Sequence, residues 1–499
     1  MDIQIKHGNI VTIDADTLIV NLFEGVTAPG GATGAVDKAL NGAISDLIAG
    51  GDFKGKAGEV AVLYPRGAIA ARRVLVVGLG KADAFDLEGV RRASAAAVKR
   101  ARDLNAQHAA TIVHGAGIGG LNARAAAQAT IEGALLAAYR FDAQKKKEPA
   151  HDVARLTVVE FDAERIDAIT AGARGAEGIA AGVSLARDLV NMPPNVATPT
   201  RLAAAAEAIA AAHGLNVTIG DREWAAARHM GAFLAVAQGA GEPPKFIILE
   251  HNGGRADQPT IVLVGKGITF DTGGISIKPS DRMGDMKSDM GGAAAVLGAM
   301  EAIGRLQLPL HVVGIAPCTE NMPDAAAYRP ADVITAGNGK TIEIISTDAE
   351  GRMVLADALV HAETYKPAAV IDLATLTGSC VVALGAGVAA GLFCNDNGLR
   401  DKLLAAADAT YERLWPLPLY DDYRRTINSN VADMKNSGGR TGGVGTSAVF
   451  LREFTNYPWA HLDIAGMALA DKATDYTPAG GTGFGVRLLV AYLQGLAGE

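Results

Sequence analysis

Apolar residues recur along the chain in two rhythms. Short unbroken apolar runs, "TLIVNLF" (17–23), "EVAVLYP" (59–65), "RRVLVVGLG" (72–80) and "AATIVH" (109–114), predict buried strands. Between and after them, "FDLEGVRRASAAAVKRARDLN" (85–105) and "ARAAAQATIEGALLAAYRF" (123–141) carry apolar positions at helical spacing. A polar break, "KKKEPAHD" (145–152), precedes the strand "RLTVVEF" and a long helical stretch from Ala163 to Val190. The prolines of "NMPPN" stop that stretch. The alternation then resumes: strands "KFIILEH" and "TIVLVG", helix "GGAAAVLGAMEAIGRL", and strands "LHVVGIAPC", "TIEII" and "AAVIDLATL". Strands alternating with helices predict α/β layers. The expected architecture is a smaller N-terminal α/β domain (1–162), a linking helix and proline break (163–195), and a larger domain (196–499) with a mixed central sheet flanked by helices.

Composition fits this picture: 49% hydrophobic and 20% charged residues over 499 positions, more than one ordinary core can hold. The start, "MDIQIKHGNI", lacks the basic and apolar regions of a signal peptide. No run reaches the roughly 20 apolar residues of a membrane span. Three scattered cysteines form no disulfide framework or thiolate metal site. A cytoplasmic location and no membrane partner are expected. Charge changes the picture more. Residues 1–165 hold 20 Lys and Arg against 19 Asp and Glu, so the remainder carries about −9 of the net −8. Bulk charge therefore argues against a nucleic-acid binder. The basic pairs at 72–73 and 91–92 and the run at 145–147 read as solvated faces rather than a DNA surface.

The acidic surplus gathers around two segments. "ISTDAEGRMVLADAL" (345–359) places Asp348, Glu350 and Arg352 at alternate positions ahead of an amphipathic helix. Helix capping accounts for one acid there, but not for a cation in the first turn. "KGITFDTGGISIKPSDRMGDMKSDMGG" (266–292) adds Lys266, Asp271, Lys278, Asp285, Lys287 and Asp289 in a glycine-rich segment too long for an idle connection. Both segments are expected at strand ends of one sheet, where open α/β folds place their sites. Clustered carboxylates need protons, basic partners or metals. The chain has no HExxH or CxxC, so a carboxylate-rich site for two divalent ions is the chemical reading. "GLG" (78–80) lacks the third glycine of a dinucleotide loop, and "VGKG" (264–267) lacks the spacing of a phosphate loop. A two-metal phosphoesterase would want histidine ligands or several arginines, and no such cluster is present.

These segments closely resemble the leucyl aminopeptidase family. The likeness extends through "ARDLVNMPPN", "ENMPDAAAYRPADVI", "DLATLTGS", "DMKNSGGRTGG", "WAHLDIAG" and "GTGFGVRLL", covering roughly residues 180–490. The resemblance implies that Lys266, Asp271, Asp289, Asp348 and Glu350 hold two divalent ions, Mn²⁺ or Zn²⁺, with Asp271 and Glu350 bridging. It assigns Lys278 and Arg352 to catalysis, with bicarbonate at Arg352, and attack by a water held between the ions. Met286, Thr375 and Gly378 fall on pocket positions for the first side chain, with the Leu376 carbonyl toward the substrate amine. It further implies a homohexamer that releases N-terminal residues, leucine above all, from peptides. Ser346, Met353 and Thr272 depart from the residues usual in the family, and none of the seven charged positions is lost.

Overall fold

The computed structural model describes residues 1–498 apart from 118, 147–151, 254, 256 and 257. Most of the polar break at 145–152 thus lies outside the described residues. Two compact units emerge: Met1–Ala180 with Ala473–Pro478, and Ala181–Lys472 with Ala479–Glu499. The long helix spans Ile166–Asn191.

The first unit is built on six strands: β1 (Asp2–His7), β2 (Thr17–Leu22), β3 (Val60–Leu63), β4 (Arg73–Gly78), β5 (His108–Thr111) and β6 (Arg155–Glu160), in the order β1-β6-β5-β2-β4-β3. All neighbours run parallel except β3, which pairs antiparallel with β4 on the edge. The periodicity had not marked β1 as a strand, because "DIQIKH" exposes most of its side chains. The basic pairs are split: Arg72 and Arg92 are exposed, while Arg73 and Arg91 turn inward. Arg91 is buried with its Nε 2.6 Å from Glu132, Arg92 reaches Glu88 at 2.9 Å, and Arg73 donates to the Leu104 carbonyl.

The central sheet of the second unit has nine strands: β7 (Asn216–Gly220), β8 (Lys245–His251), β9 (Thr260–Gly265), β10 (Gly267–Asp271), β11 (His311–Asn321), then β14 (Ala369–Ala374), β15 (Ala390–Cys394), β16 (Leu414–Pro416) and β18 (Trp459–Asp463). Their order is β16-β15-β18-β14-β9-β11-β8-β7, with β10 paired to β11. The centre, β18-β14-β9-β11, is parallel, while β8 and β7 on one side and the β15–β18 junction on the other are antiparallel. The sheet is mixed, as expected. Near-continuous burial along β9, β11 and β14 explains their unbroken apolar runs, since the central strands are covered on both faces.

"TIEII" departs from expectation. Only Thr341–Glu343 is strand (β13), and it belongs to a separate three-stranded sheet with β12 (Val333–Thr335) and β17 (Met434–Lys435). The loop carrying Asp348 therefore enters from this small sheet and not from the central one. Nor do all three charged residues stand ahead of the helix: Asp348 lies in a turn, whereas Glu350 is the first residue of the helix Glu350–Ala362 and Arg352 lies within it.

Candidate metal centre and active site

Parallel strands converge on one place. Lys266 follows β9, Asp271 ends β10, Asn321 ends β11, Thr375 follows β14, and Asp463 ends β18. All these residues leave the carboxyl ends of their strands, the usual site position in an open α/β sheet. The Lys266 backbone is pinned there, its N–H donating to Leu373 O at 3.0 Å and its carbonyl accepting from Ala293 N at 2.8 Å.

The side chains interleave by sign. Lys266 Nζ is 2.7 Å from Asp289 Oδ2, 2.9 Å from Glu350 Oε1 and 3.1 Å from the Thr375 carbonyl. Lys278 Nζ is 2.8 Å from Asp271 Oδ2 and 2.5 Å from Asp348 Oδ1. Asp271, Asp348 and Glu350 each offer a carboxylate oxygen within 4.8 Å of the others. Thr375 Oγ1 donates to Asp289 Oδ1, and Asn321 Nδ2 to Asp271 Oδ1, both at 2.8 Å.

The Asp348 loop and the loop after Asp271 are stitched together. Ser276 N donates to Thr347 Oγ1, Thr347 N donates to Ser276 Oγ, and Thr347 Oγ1 donates to Gly273 O. Gly273 sits at φ +86°, left-handed backbone that favours glycine. Gly351 is required for a different reason. A Cβ there would lie 2.5 Å from Lys266 Cε, so the lysine can pass only over a bare backbone.

Two ammonium groups stand among four carboxylates, leaving a surplus of negative charge in a largely dry place. Burial and the Glu350 charge push Asp271 up to about 6 despite both lysines. Burial likewise raises Asp289 and Asp348. Burial works against the charges of Lys266 and Lys278, but the surrounding carboxylates outweigh it and hold both lysines more firmly protonated. Such a donor set, oxygen-rich and short of positive charge, fits divalent cations. Asp289 Oδ2 adds a specific mark: it is buried and, although near Lys266, accepts no well-formed hydrogen bond.

Arg352 answers the puzzle of a cation in a first helical turn. Its Nη1 donates to the Asn436 carbonyl at 2.8 Å, while its buried Nε has no hydrogen-bond partner. Burial lowers it to about 10, against the pull of Glu350, Asp463 and Asp348.

The eleven residues to which the resemblance gives roles line one cavity of about 440 Å³: Lys266, Asp271, Lys278, Met286, Asp289, Asp348, Glu350, Arg352, Thr375, Leu376 and Gly378; Asp285 and Lys287 of the same charged segment do not, pairing instead with Arg282 and the Asn191 carbonyl. Three supporting residues were not foreseen. Asn321 bonds Asp271 and the Thr347 carbonyl. Asn436 is fully buried, accepting from Ile345 N at 2.8 Å and donating to Ser346 O at 2.7 Å. Asp463 accepts from Thr377 Oγ1 at 2.7 Å and Leu376 N at 3.2 Å, holding the loop after β14. Each lies in a segment quoted for the resemblance, but polar residues beside a site carry no spacing signal of their own.

Residues 184–490 match the cytosol aminopeptidase family, catalytic domain, and residues 19–148 match the same family's N-terminal domain. The chain belongs to the cytosol aminopeptidase family. A probable cytosol aminopeptidase of Roseiflexus castenholzii is 45% identical over 502 residues, covering 99% of both chains. One from Methylobacillus flagellatus is 44% identical over the full length of both. Among solved structures, a mutant of tomato leucine aminopeptidase superposes with TM-score 0.88 at 35% identity, covering 99% of this chain and 96% of the other. The bottromycin maturation enzyme BotP in complex with Mn gives 0.84 at 37% identity, covering 97% and 100%. The cytosol aminopeptidase family fixes the reaction class: this chain is a metal-dependent exopeptidase that hydrolyses peptides from the N-terminus. Among the described residues, no helix is long and apolar enough to cross a membrane.

Proposed function

We propose that the cavity between β9, β10 and β14 is a two-metal aminopeptidase centre in which Lys266, Asp271, Asp289, Asp348 and Glu350 are the ligands. The observation that carries this reading is the convergence of four carboxylates and two lysines on one cavity, with too little positive charge to balance them. Asp271 and Glu350, which each feel the charge of both lysines, would be the ligands held in common by the two ions. Mn²⁺ is the first metal to test, since BotP was solved with Mn; Zn²⁺ is the second, since Lys266 adds a nitrogen donor to the carboxylates and selectivity between such ions rests on geometry and supply rather than on raw affinity. Bound there, two divalent ions would supply Lewis acidity and a water acidic enough to react near neutral pH.

The chain's own residues divide the remaining work. Lys266 serves as a ligand only as a neutral amine, so loading expels its proton. Lys278 keeps its charge and stabilises the negative charge that develops on the scissile carbonyl oxygen. The Leu376 carbonyl accepts a hydrogen bond from the substrate's free α-amine, and the unpartnered Arg352 Nε is suited to a small anion such as bicarbonate that carries the proton. Met286, Thr375 and Gly378 face the first side chain. Leucine is the preferred first residue in this reading, other apolar residues are tolerated, and the working form is a cytoplasmic homohexamer.

Chelation followed by add-back tests the centre. Turnover of leucine amide should vanish with the metal and return with Mn²⁺ or Zn²⁺, and N-acetylated substrates should not turn over. Full activity of metal-free protein, or cleavage of blocked peptides at comparable rates, would overturn the proposal.

A further inference from the structure

A second recess of about 610 Å³ adjoins the catalytic cavity, and the two share Gly378, Ser379 and Gly443. Beyond those residues its walls are mostly apolar, with Val382, Phe393, Leu417, Tyr423 and Val444, and Arg440 is the charged residue among them. No part of the chemistry above uses them.

The shared wall is not uniform. At Gly443 an added Cβ would lie 2.7 Å from Ser379 Oγ, so the partition is closed there by direct packing. At Gly378 an added Cβ meets no heavy atom within 4 Å. Gly378 is not in left-handed backbone either, and it opens the helix Gly378–Leu384 behind the N-cap Thr377. Neither packing nor conformation demands glycine at this position. The bare Gly378 backbone is thus the point of the shared wall that no packing closes.

We infer that the pocket for the first residue continues past Gly378 into this apolar recess, which takes the outer part of a bulky aromatic side chain on that residue. This rests on the aminopeptidase reading and on Gly378 lying along the first-residue wall. Leucine then ends near Gly378, while the rings of phenylalanine and tryptophan pass it and bury against Phe393, Leu417 and Val444. Ligand pockets of this kind are mostly apolar and of this size.

Two substitutions probe opposite ends of the path. Gly378→Ala narrows the opening, and the free space around it lets the chain fold; Leu417→Trp fills the recess from its far wall. With Mn²⁺-loaded protein and a series of alanyl, leucyl, phenylalanyl and tryptophanyl p-nitroanilides, each variant should lower the Trp-to-Ala ratio of kcat/KM tenfold or more. Ratios unchanged in both variants, or an equal loss on all four substrates, would overturn the inference. So would a loss in Leu-Gly and Leu-Phe dipeptides that follows the second residue. Failure of the wild-type protein to cleave any of these substrates would instead strike at the aminopeptidase centre itself.

Discussion

Lys266 and Lys278 flank strand β10, and both are held among carboxylates, yet their assigned tasks differ. Lys266 sits 2% exposed against Asp289 and Glu350, where a metal ligand must surrender its proton. Lys278 is more open and keeps its charge beside Asp271 and Asp348. Lys266→Ala should weaken metal retention, with part of the activity recovered in excess metal. Lys278→Ala should retain both ions and slow kcat by about 10²–10³, the usual effect of losing one oxyanion donor. Elemental analysis beside kinetics decides it, and equal metal loss in both variants would show the roles are misassigned. Gly351→Ala should resemble the Lys266 variant without touching a ligand, because its Cβ occupies the lysine's path. Metal content well below that of the wild type is the expected result.

At the scale of elements, the central strands could be read from the sequence because burial on both faces leaves unbroken apolar runs such as "TIVLVG". The edges were less legible. β1 has no such run, and β12, β13 and β17 assemble a small sheet from pieces of two or three residues, too short to impose a period. The charged site residues were legible as two clusters and as a resemblance. Their sheet was misread for one of the two clusters, because a loop's sequence does not say which sheet precedes it. Asn436 is the clearest residue that spacing could not reveal. It follows β17, and its side chain bonds both sides of the Ile345–Ser346 backbone while its carbonyl holds Arg352. Asn436→Ala leaves those buried groups unpaired at about 1–3 kcal/mol for each group so stranded. It should lower Tm by several degrees and kcat by about tenfold. Asn436→Asp should do no better, since an oxygen would then face the Ser346 carbonyl. A stable but fully active Ala variant would show that the loop holds itself.

For the molecule as a whole, stability should respond to pH through a buried pair outside the catalytic cavity. His461 Nδ1 is 2.5 Å from Asp372 Oδ1, and Trp459 Nε1 donates to Asp372 Oδ2 at 2.6 Å. Burial opposes the imidazolium, but Asp372, by charge and hydrogen bond, raises His461 above its ordinary value. A proton bound more tightly in the folded state stabilises it fully below the ordinary histidine range and is lost as pH climbs through the raised value. Tm should therefore fall as pH rises from near 6 into the alkaline range, with a slope that Asp372→Asn removes. That variant should also lose about 3–5 kcal/mol at pH 6, the cost of stranding one member of a buried pair. An identical slope in the variant would place the pH response elsewhere. The first unit, finally, is not made of consecutive chain: residues 473–478 belong to it, and from them the Tyr476 hydroxyl donates to the buried Glu88 at 2.8 Å. Ribosomes deliver that tyrosine only after the whole span 181–472 has been translated, roughly 15–60 s later at ordinary elongation rates. The segment synthesised first thus waits for nearly the last residues before its buried carboxylate, already paired with Arg92, gains the tyrosine hydroxyl, so a nascent chain stalled before residue 473 should show the early unit more open to protease than the released protein.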